Sequence, residues 1–262
     1  MASDLSLLDR AKYAAARRAV DFVEDGMRLG LGTGSTAVWM LRCLGRRIRD
    51  EGLKITGVPT STQTARLAAA EGIELTTLGE AKWLDLTIDG TDEFDPRLDL
   101  IKGGGGALLQ EKIVATASER MLVIADAAKE VATLGAFALP VEVVDFGWQT
   151  TQALIEDTLS SLDVLGHGAR LRMRDGQPFR TDQGNLILDL DLRRIGNPRQ
   201  VSLVINQIPG VIENGLFLDI CDRLVIGFGD GRFELRDAVE GTVERGRIEL
   251  PETANLFRDA AN

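Results

Sequence analysis

Helical and extended patterns alternate along the first half of the chain, and this alternation constrains the fold more than any other feature. Apolar residues recur at helical spacing in four segments, and short apolar runs typical of buried strands lie between them. The predicted helices are residues 9–24, 37–48, 62–70 and 107–118, and the predicted strands are residues 27–31, 54–58, 73–75, 84–88 and 121–125. This order predicts an α/β fold: a doubly wound, mostly parallel, Rossmann-like sheet with helices on both faces. Ligands of such sheets bind at the carboxyl ends of the strands.

The pattern changes after residue 140. Further strands are predicted at residues 141–144, 170–172 and 186–191, and further helices at residues 151–162 and 198–208. A β-α-β-β-α-β order is typical of a small ferredoxin-like α+β domain. An apolar strand at residues 224–227 is a candidate to return to the main sheet. We expect residues 1–137 plus about 213–236 to form an α/β catalytic domain, residues 138–212 a small α+β domain, and residues 237–262 a charged, loosely patterned C-terminal extension.

Net charge limits the classes of function. A formal charge of −10 argues against a non-specific nucleic-acid binder or a protein of anionic membranes, because both need a basic surface. A small anionic substrate remains compatible, since it responds to a few N–H groups and lysines at short range. The N-terminus alternates charged and apolar residues, and no stretch approaches the ~20 apolar residues of a membrane span. We therefore expect a cytoplasmic protein.

Histidine and cysteine are scarce. The single histidine, His167, lies in a Leu-Gly-His-Gly segment that is typical of a loop. Metal sites, triads and acid/base pairs built on histidine are therefore disfavoured, and proton transfer falls to carboxylates and lysines. Cys43 and Cys221 lie far apart and lack the spacing of a zinc or redox site, which favours buried thiols.

A glycine turn joins the first predicted strand to the next helix. The sequence Gly-Thr-Gly-Ser-Thr at residues 32–36 leaves backbone N–H groups and hydroxyls free to hold an anion, such as phosphate, at a helix N-terminus. It lacks the Gly-Lys-Ser/Thr ending of a Walker loop, and Ala37 replaces the last glycine of the Gly-x-Gly-x-x-Gly motif. A plain tight turn with a Ser or Thr cap is the alternative interpretation.

Acidic residues follow a later apolar strand. The sequence Asp-Gly-Thr-Asp-Glu at residues 89–93 would lie at the mouth of the sheet. Three interpretations stay open: carboxylates that act on a substrate, a turn cap with solvated acids, and a divalent-metal site, although hard metals usually take several carboxylates.

Four successive glycines at residues 103–106, here called the glycine run, follow Lys102. Such a run costs folding entropy that an ordinary turn has no reason to incur, so we expect close approach of the backbone to a ligand. Lys102 and the N–H groups of the run suit a developing oxyanion or a phosphate. Glu111 falls in the first turns of the next predicted helix and either faces the same pocket or is an ordinary exposed carboxylate.

The three motifs end successive strands and are expected to converge on one crevice. An anion cradle, a carboxylate pair, a lysine and one further carboxylate suit proton transfer between adjacent carbons of a phosphorylated sugar. The motifs, with the Leu-Pro-Val-Glu-Val segment at residues 139–143, also resemble in order the signature blocks of the ribose-5-phosphate isomerase A family, over residues 12–236. Thr91 and Gly106 depart from the alanines usual in that family.

The resemblance implies an aldose-ketose isomerase of the non-oxidative pentose phosphate pathway that interconverts D-ribose 5-phosphate and D-ribulose 5-phosphate through an enediol. It implies Glu111 as the base, Lys102 as the stabiliser of the carbonyl oxygen, and Asp89 in ring opening, with the roles of Asp89 and Asp92 open to exchange. It also implies no cofactor, no metal, and a homodimer or homotetramer. The residues implied to bind substrate are Thr33, Gly34, Ser35, Thr36, Asp89, Gly90, Thr91, Asp92, Lys102, Gly103, Gly104, Gly105 and Lys129, with Lys12 as a possible phosphate-side lysine.

Two other functions are alternatives to the isomerase. A sugar-phosphate enzyme of the amino-sugar-phosphate deaminase kind would share the phosphate turn but should need a catalytic histidine, and none lies near these motifs. A non-enzymatic sugar-phosphate sensor would need an effector element such as a basic helix-turn-helix, and the sequence shows none.

Overall fold

A computed structural model of the chain describes residues 5–250. The helices are α1 (Leu7–Ala19), α2 (Ser35–Glu51), α3 (Thr62–Ala70), α4 (Leu78–Ala81), α5 (Leu108–Thr116), α6 (Trp148–Leu159) and α7 (Pro198–Ile205). The strands are β1 (Arg28–Leu31), β2 (Thr56–Pro59), β3 (Glu74–Leu75), β4 (Leu86–Gly90), β5 (Glu93–Phe94), β6 (Leu100–Ile101), β7 (Met121–Asp126), β8 (Leu139–Val143), β9 (Gly168–Leu171), β10 (Met173–Arg174), β11 (Gln177–Pro178), β12 (Leu186–Asp191), β13 (Val211–Asn214), β14 (Leu216–Phe217), β15 (Arg223–Gly227), β16 (Arg232–Asp237) and β17 (Thr242–Arg247). Within the described range, no helix is both long and apolar enough to cross a membrane.

The main sheet has eight strands in the order β17-β16-β15-β7-β4-β1-β2-β3. The six strands from β15 to β3 are parallel, and β16 and β17 are antiparallel. Side chains of β7 alternate between two cores: Leu122 and Ile124 pack with α1 and α2, whereas Met121 and Val123 face the opposite side. This alternation is what a strand buried on both faces requires, and the predicted doubly wound, mostly parallel sheet is confirmed.

Local sequence explains where the helices begin and end. Helix α3 has the predicted bounds because the Ser61 hydroxyl accepts a hydrogen bond from the Thr64 N–H as an N-cap. Helix α2 begins at Ser35, two residues before the predicted start, and is followed by Gly52 in the left-handed conformation with φ +72°. The earlier start brings Ser35 and Thr36 into the first turn of α2, at the carboxyl end of β1.

The second sheet has four antiparallel strands in the order β13-β8-β12-β9. Its chain order β8-α6-β9-β12-α7-β13 gives the 4-1-3-2 arrangement of a ferredoxin-like module, as the sequence predicts. Apolar residues of α6 and α7, among them Ile155 and Val201, form one core with Leu188 and Leu190 of β12.

A small sheet that the sequence did not reveal lies between the two larger ones, with strand order β14-β6-β5. Leu216 of β14 pairs with Ile101 of β6, and both side chains belong to the core of the four-stranded sheet. The Lys102 N–H donates to the Gly215 carbonyl at 2.9 Å, and the Gly215 N–H donates to Pro140 at 2.8 Å. These strands are two residues long, too short for a periodic signal. The division into two domains stays a prediction.

The end of the chain differs from expectation. The strand predicted at residues 224–227 returns to the main sheet as β15, beside β7. The segment after Asp237, expected to be a loosely patterned extension, contributes strand β17 at the sheet edge. Strand β17 lies at the sheet edge, outside the core, and has no apolar face to bury. Its sequence therefore lacks the alternation of apolar and polar residues from which a strand is predicted. Residues 251–262 of that predicted extension lie outside the described residues.

Candidate active site

A cleft of about 310 Å³ lies at the carboxyl ends of β1, β4 and β7. It brings together all three predicted motifs, as expected for strand ends of one parallel sheet, and the predicted substrate-binding lysines Lys12 and Lys129. Of the predicted residues, Asp89 and Gly104 are not part of its lining. The residues that line it are Leu8, Lys12, Thr33, Gly34, Ser35, Thr36, Gly90, Thr91, Asp92, Lys102, Gly103, Gly105, Glu111, Asp126, Ala128 and Lys129.

A buried ion cluster forms the floor of the cleft. The Lys102 Nζ lies 3.0 Å from Asp89 Oδ2 and 3.3 Å from Glu111 Oε1, and it donates to the Gly90 carbonyl at 2.6 Å. Asp89 Oδ1 accepts from the backbone N–H groups of Thr33 and Gly90. All three side chains are at most 5% exposed. The second oxygen of Glu111, Oε2, is buried and has no hydrogen-bond partner among the described residues.

Burial is the largest influence on the titration of this cluster. It raises the pKa of Asp89 against the opposing charge of Lys102. It raises the pKa of Glu111 to about 8, and the negative charge of Asp89 adds to the effect. Burial by itself lowers the pKa of Lys102, but the carboxylates of Asp89 and Glu111 outweigh it and raise that pKa. The lysine therefore stays charged, and Glu111 can gain and lose a proton near neutral pH.

The glycine run forms one wall of the cleft. The Gly104 N–H donates to Asp92 Oδ2 at 2.7 Å, and a Cβ on Gly104 would lie 2.6 Å from Asp92 Oδ1. Gly103 has φ +101°, which disfavours any other residue. Gly106 has φ +85°, and a Cβ there would lie 2.4 Å from the Phe179 ring. Close approach and positive φ thus explain why this wall is built from glycine.

The turn at residues 32–36 begins helix α2 beside the cleft. Gly34 has φ +115°, and Ser35 and Thr36 stand in the first turn of the helix, where backbone N–H groups are unpaired. Thr33 lines the cleft and also bonds to other residues of the protein. Its N–H donates to Asp89, and its hydroxyl donates to Ser61 at 2.8 Å within a cluster that also contains Thr60 and Thr64. Both Thr33 donors are therefore already used inside the protein.

Two lysines line the outer part of the cleft, both half-buried. Lys12 lies on α1, and Lys129 lies on a 3₁₀ turn, Ala127–Lys129, that follows β7. The sequence analysis missed Asp126, which caps this turn by accepting from the Ala128 N–H at 3.1 Å. Its place as the last residue of an apolar strand was a usable signal, the same one that identified Asp89. Leu8, in the first turn of α1, had no such signal.

The scarce residue types take no part in the cleft. His167 is exposed in the loop before β9. Cys43 and Cys221 are buried and unpaired, as expected, and burial raises the pKa of both thiols, that of Cys43 to about 12. Over residues 5–250, no group of three or more His, Cys, Asp or Glu side chains is placed to hold a metal ion.

Comparison with known proteins identifies the family. The sequence profile of Ribose 5-phosphate isomerase A (phosphoriboisomerase A) matches residues 56–231. The chain belongs to the ribose 5-phosphate isomerase A family. A relative from Ruegeria sp. (strain TM1040), named Ribose-5-phosphate isomerase A, is 68% identical over 99% of each chain. The resemblance drawn from the motifs is therefore confirmed.

Solved structures of the ribose 5-phosphate isomerase A family share the fold. The enzyme from Methanocaldococcus jannaschii has 37% identity and a TM-score of 0.78, over 93% of this chain and 100% of that one. A D-ribose-5-phosphate isomerase in complex with phospho-erythronic acid has 38% identity and the same TM-score, over 90% and 97% of the two chains. The α/β class predicted from the strand-helix alternation agrees with both.

Proposed function

We propose that this chain isomerises D-ribose 5-phosphate and D-ribulose 5-phosphate by enediol proton transfer, with the Glu111 carboxylate as the general base. The family assigns the overall reaction, an aldose-ketose isomerisation. The observation that carries the base assignment is the Glu111 side chain: it lines the cleft, it is buried, and its Oε2 has no partner within the described chain. A carboxylate that lines the cleft and has an oxygen without a protein partner can take up a proton that the protein itself does not supply.

Proton transfer needs one carboxylate that works twice. Glu111 removes the proton from C2 of the open-chain aldose, which leaves an enediolate with its charge on O1. The hydroxyl proton passes from O2 to O1 through the enediol, and Glu111 returns its proton to C1 to give the ketose. A pKa raised towards 8 suits this exchange, because the base must both accept and release the proton near neutral pH.

Charge that develops on the carbonyl oxygen requires donors already in place. Lys102 and the N–H groups of the glycine run form the wall next to Glu111, and the ammonium is held by Asp89 and by the Gly90 carbonyl. Donors fixed before the reaction stabilise an oxyanion without reorganisation in the transition state.

The two aspartates are suited to different tasks. Asp89 is fully buried, its Oδ1 accepts from Thr33 and Gly90, and its Oδ2 forms an ion pair with Lys102, which supports a role in orienting and charging the lysine. Asp92 is half-buried and lines the cleft, which supports the ordering of sugar hydroxyls and proton relay during ring opening. This is the exchanged assignment that the sequence analysis left open.

The phosphate of the substrate fits the part of the cleft that the N-terminus of α2 lines. The N-terminus of α2, at residues 34–36, offers backbone N–H groups and the positive end of the helix dipole, and Lys12 and Lys129 add charge nearby. Direct contact of Thr33 with substrate and a homodimer or homotetramer stay predictions that rest on the resemblance. The cytoplasmic location stays a prediction that rests on the sequence pattern.

Substitution of Glu111 by Gln tests the base assignment. The amide keeps the shape of the side chain but does not take up a proton, so we expect kcat to fall by about 10²–10⁴-fold while substrate binding stays nearly intact. Ketose formation from ribose 5-phosphate is followed in the presence of a chelator, which also tests a metal-dependent hydride shift. Glu119→Gln, an exposed carboxylate just after α5, is the matched control and should retain wild-type turnover. Near-wild-type kcat in Glu111→Gln would sink the assignment.

A further inference from the structure

An arginine from the second sheet reaches the glycine run. Arg172 follows β9, and its Nη1 donates to the carbonyls of Gly103 at 2.8 Å and Gly104 at 3.1 Å. The side chain is 14% exposed and does not line the cleft. It therefore contacts the glycine run without being part of the cleft lining.

The guanidinium is fixed by the sheet from which it comes. Its Nε donates to Asp189 Oδ2 at 2.9 Å, and Nη2 pairs with the other oxygen of the same carboxylate. The Arg172 N–H donates to the Ile187 carbonyl at 2.8 Å, and the guanidinium lies 5.9 Å from the centre of the Phe179 ring. A two-point carboxylate contact leaves a guanidinium little freedom to turn, so Arg172 acts as a rigid fork.

Peptide geometry transmits this contact to the cleft. Described peptide bonds are all trans, and in a trans peptide the carbonyl and the N–H point in opposite directions. The Gly103 carbonyl also accepts from the Gly106 N–H at 2.9 Å, whereas Arg172 is the one donor to the Gly104 carbonyl among the described residues. Because Arg172 contacts both carbonyls, the N–H groups of Gly104 and Gly105 point away from it. The Gly104 N–H reaches Asp92 at 2.7 Å, and the Gly105 N–H, in the cleft lining, finds no acceptor within residues 5–250.

Glycine does not hold such an orientation by itself. Residues without Cβ populate several backbone conformations with similar energies, so successive glycines need external contacts to keep one of them. Arg172 supplies two of these contacts from a different sheet, and Phe179 packs against Gly106 at the end of the run.

We propose that Arg172 is a positioning residue for the isomerisation, which orients the Gly105 N–H towards the carbonyl oxygen of the substrate. This proposal rests on the proposed function, because the reaction identifies the oxygen that becomes charged. Its action is through the peptide groups, without contact to the sugar.

Kinetics of Arg172 variants test the proposal. In Arg172→Ala the peptide group between Gly104 and Gly105 loses its external contact, so the Gly105 N–H is no longer held in one orientation. This donor is needed most in the transition state, so its misorientation should lower kcat rather than raise KM. We expect kcat to fall roughly 10- to 100-fold with KM within about threefold of wild type. The kcat of Arg172→Lys should lie between those of the wild type and Arg172→Ala, because one ammonium nitrogen does not bridge two carbonyls and both oxygens of Asp189.

Arg174→Ala is the matched control. Arg174 is exposed in β10, its guanidinium lies 4.3 Å from the centre of the same Phe179 ring, and within the described residues it has no hydrogen bond to the glycine run. Its kcat should stay within about twofold of wild type, since it changes the charge of the same segment without touching the peptide groups.

Binding measurements distinguish a misoriented glycine run from general damage to the active site. Affinity of Arg172→Ala for phospho-erythronic acid, whose carboxylate resembles a charged enediolate, should fall with kcat, whereas affinity for inorganic phosphate should stay at the wild-type value. If Arg172→Ala does not fold, Arg172→Lys and Asp189→Asn carry the same comparison.

Three results overturn the proposal: wild-type kcat in Arg172→Ala, an equal loss in Arg174→Ala, or a parallel loss of phosphate affinity. Failure of the proposed function is distinguishable, because it appears in wild-type protein as absence of ketose or in Glu111→Gln as undiminished turnover.

Discussion

At the scale of single residues, one buried lysine lies between two buried carboxylates in the candidate active site. Asp89, Lys102 and Glu111 together carry one excess negative charge when all are ionised, and burial makes that state costly. Asp89 is stabilised by two backbone N–H donors to Oδ1 and by the Lys102 ammonium 3.0 Å from Oδ2, whereas Oε2 of Glu111 has neither a hydrogen bond nor an ion pair within the described residues. The proton that relieves the excess charge is therefore expected to reside on Glu111.

The rate should consequently depend on pH with a defined sign. Only ionised Glu111 can act as the base, and its pKa is raised to about 8, so kcat/KM should be low near pH 6 and rise as pH increases through about 8. Rate measurements on ribose 5-phosphate from pH 6 to 9.5 check this, with Glu119→Gln as a control that keeps the wild-type profile. A profile already flat above pH 6 would contradict the raised pKa.

At the scale of elements, strands β1 and β4 approach closely where the site begins. A Cβ on Gly32, just after β1, would lie 2.1 Å from Asp89 Oδ1 and 2.5 Å from Asp89 Cα. Gly32 therefore does more than allow a turn: it lets the end of β4 bring Asp89 against the turn that begins α2. The same closeness joins the Thr33 N–H to Asp89.

Substitution of Gly32 by Ala should disturb both packing and chemistry. The new methyl meets backbone as well as side-chain atoms, so we expect a loss of roughly 1–3 kcal/mol or more in the free energy of unfolding and at least a tenfold loss of kcat. Gly79→Ala is the control: it lies in α4, its Cβ would meet its nearest neighbour at 3.9 Å, and we expect stability unchanged or raised by up to about 1 kcal/mol. Urea unfolding and turnover measure both. Equal stability of the two variants would contradict the close-packing role.

At the scale of the whole molecule, the sheets are joined by shared core and polar contacts. Ile101 and Leu216 belong to the core of the four-stranded sheet although they come from the small sheet next to the cleft. Lys112 of α5, beside Glu111, pairs with Glu213 of β13 at 2.9 Å. Glu93 accepts from the Gly135 N–H at 2.8 Å. Such contacts favour cooperative unfolding of both sheets.

Tryptophan fluorescence can test this cooperativity. Trp39 is buried in the core of the main sheet, Trp148 packs on the core of the four-stranded sheet, and Trp83 is half exposed. In variants that keep only Trp39 or only Trp148, with Phe at the other two positions, we expect the urea midpoint of each to equal that variant's own midpoint by circular dichroism. Different midpoints within one variant would indicate independent domains and support the predicted boundaries at residues 138 and 212.

The amino-acid sequence by itself determined the strands of the parallel sheet, the longer helices and the location of the chemistry. A short apolar run identified β7, helical periodicity identified α3, and turn chemistry placed the motifs at 32–36, 89–93 and 102–106 at strand ends. These signals are local, since they depend on which faces a segment must bury and on where glycine is needed. The alternation was sufficient to predict the parallel sheet and the ferredoxin-like module.

The tertiary structure alone decided which atoms meet. It placed the Thr33 hydroxyl in a hydrogen-bonded cluster with Ser61 and Thr64. It also buried Asp89 next to Lys102 and left one oxygen of Glu111 without a hydrogen-bond partner among the described residues. It also brought Arg172 to carbonyls nearly seventy positions away in the chain. Contacts across such separations follow from how sheets pack on one another, and no local pattern encodes them. The sequence thus predicts the reacting groups, and packing determines their charge and orientation.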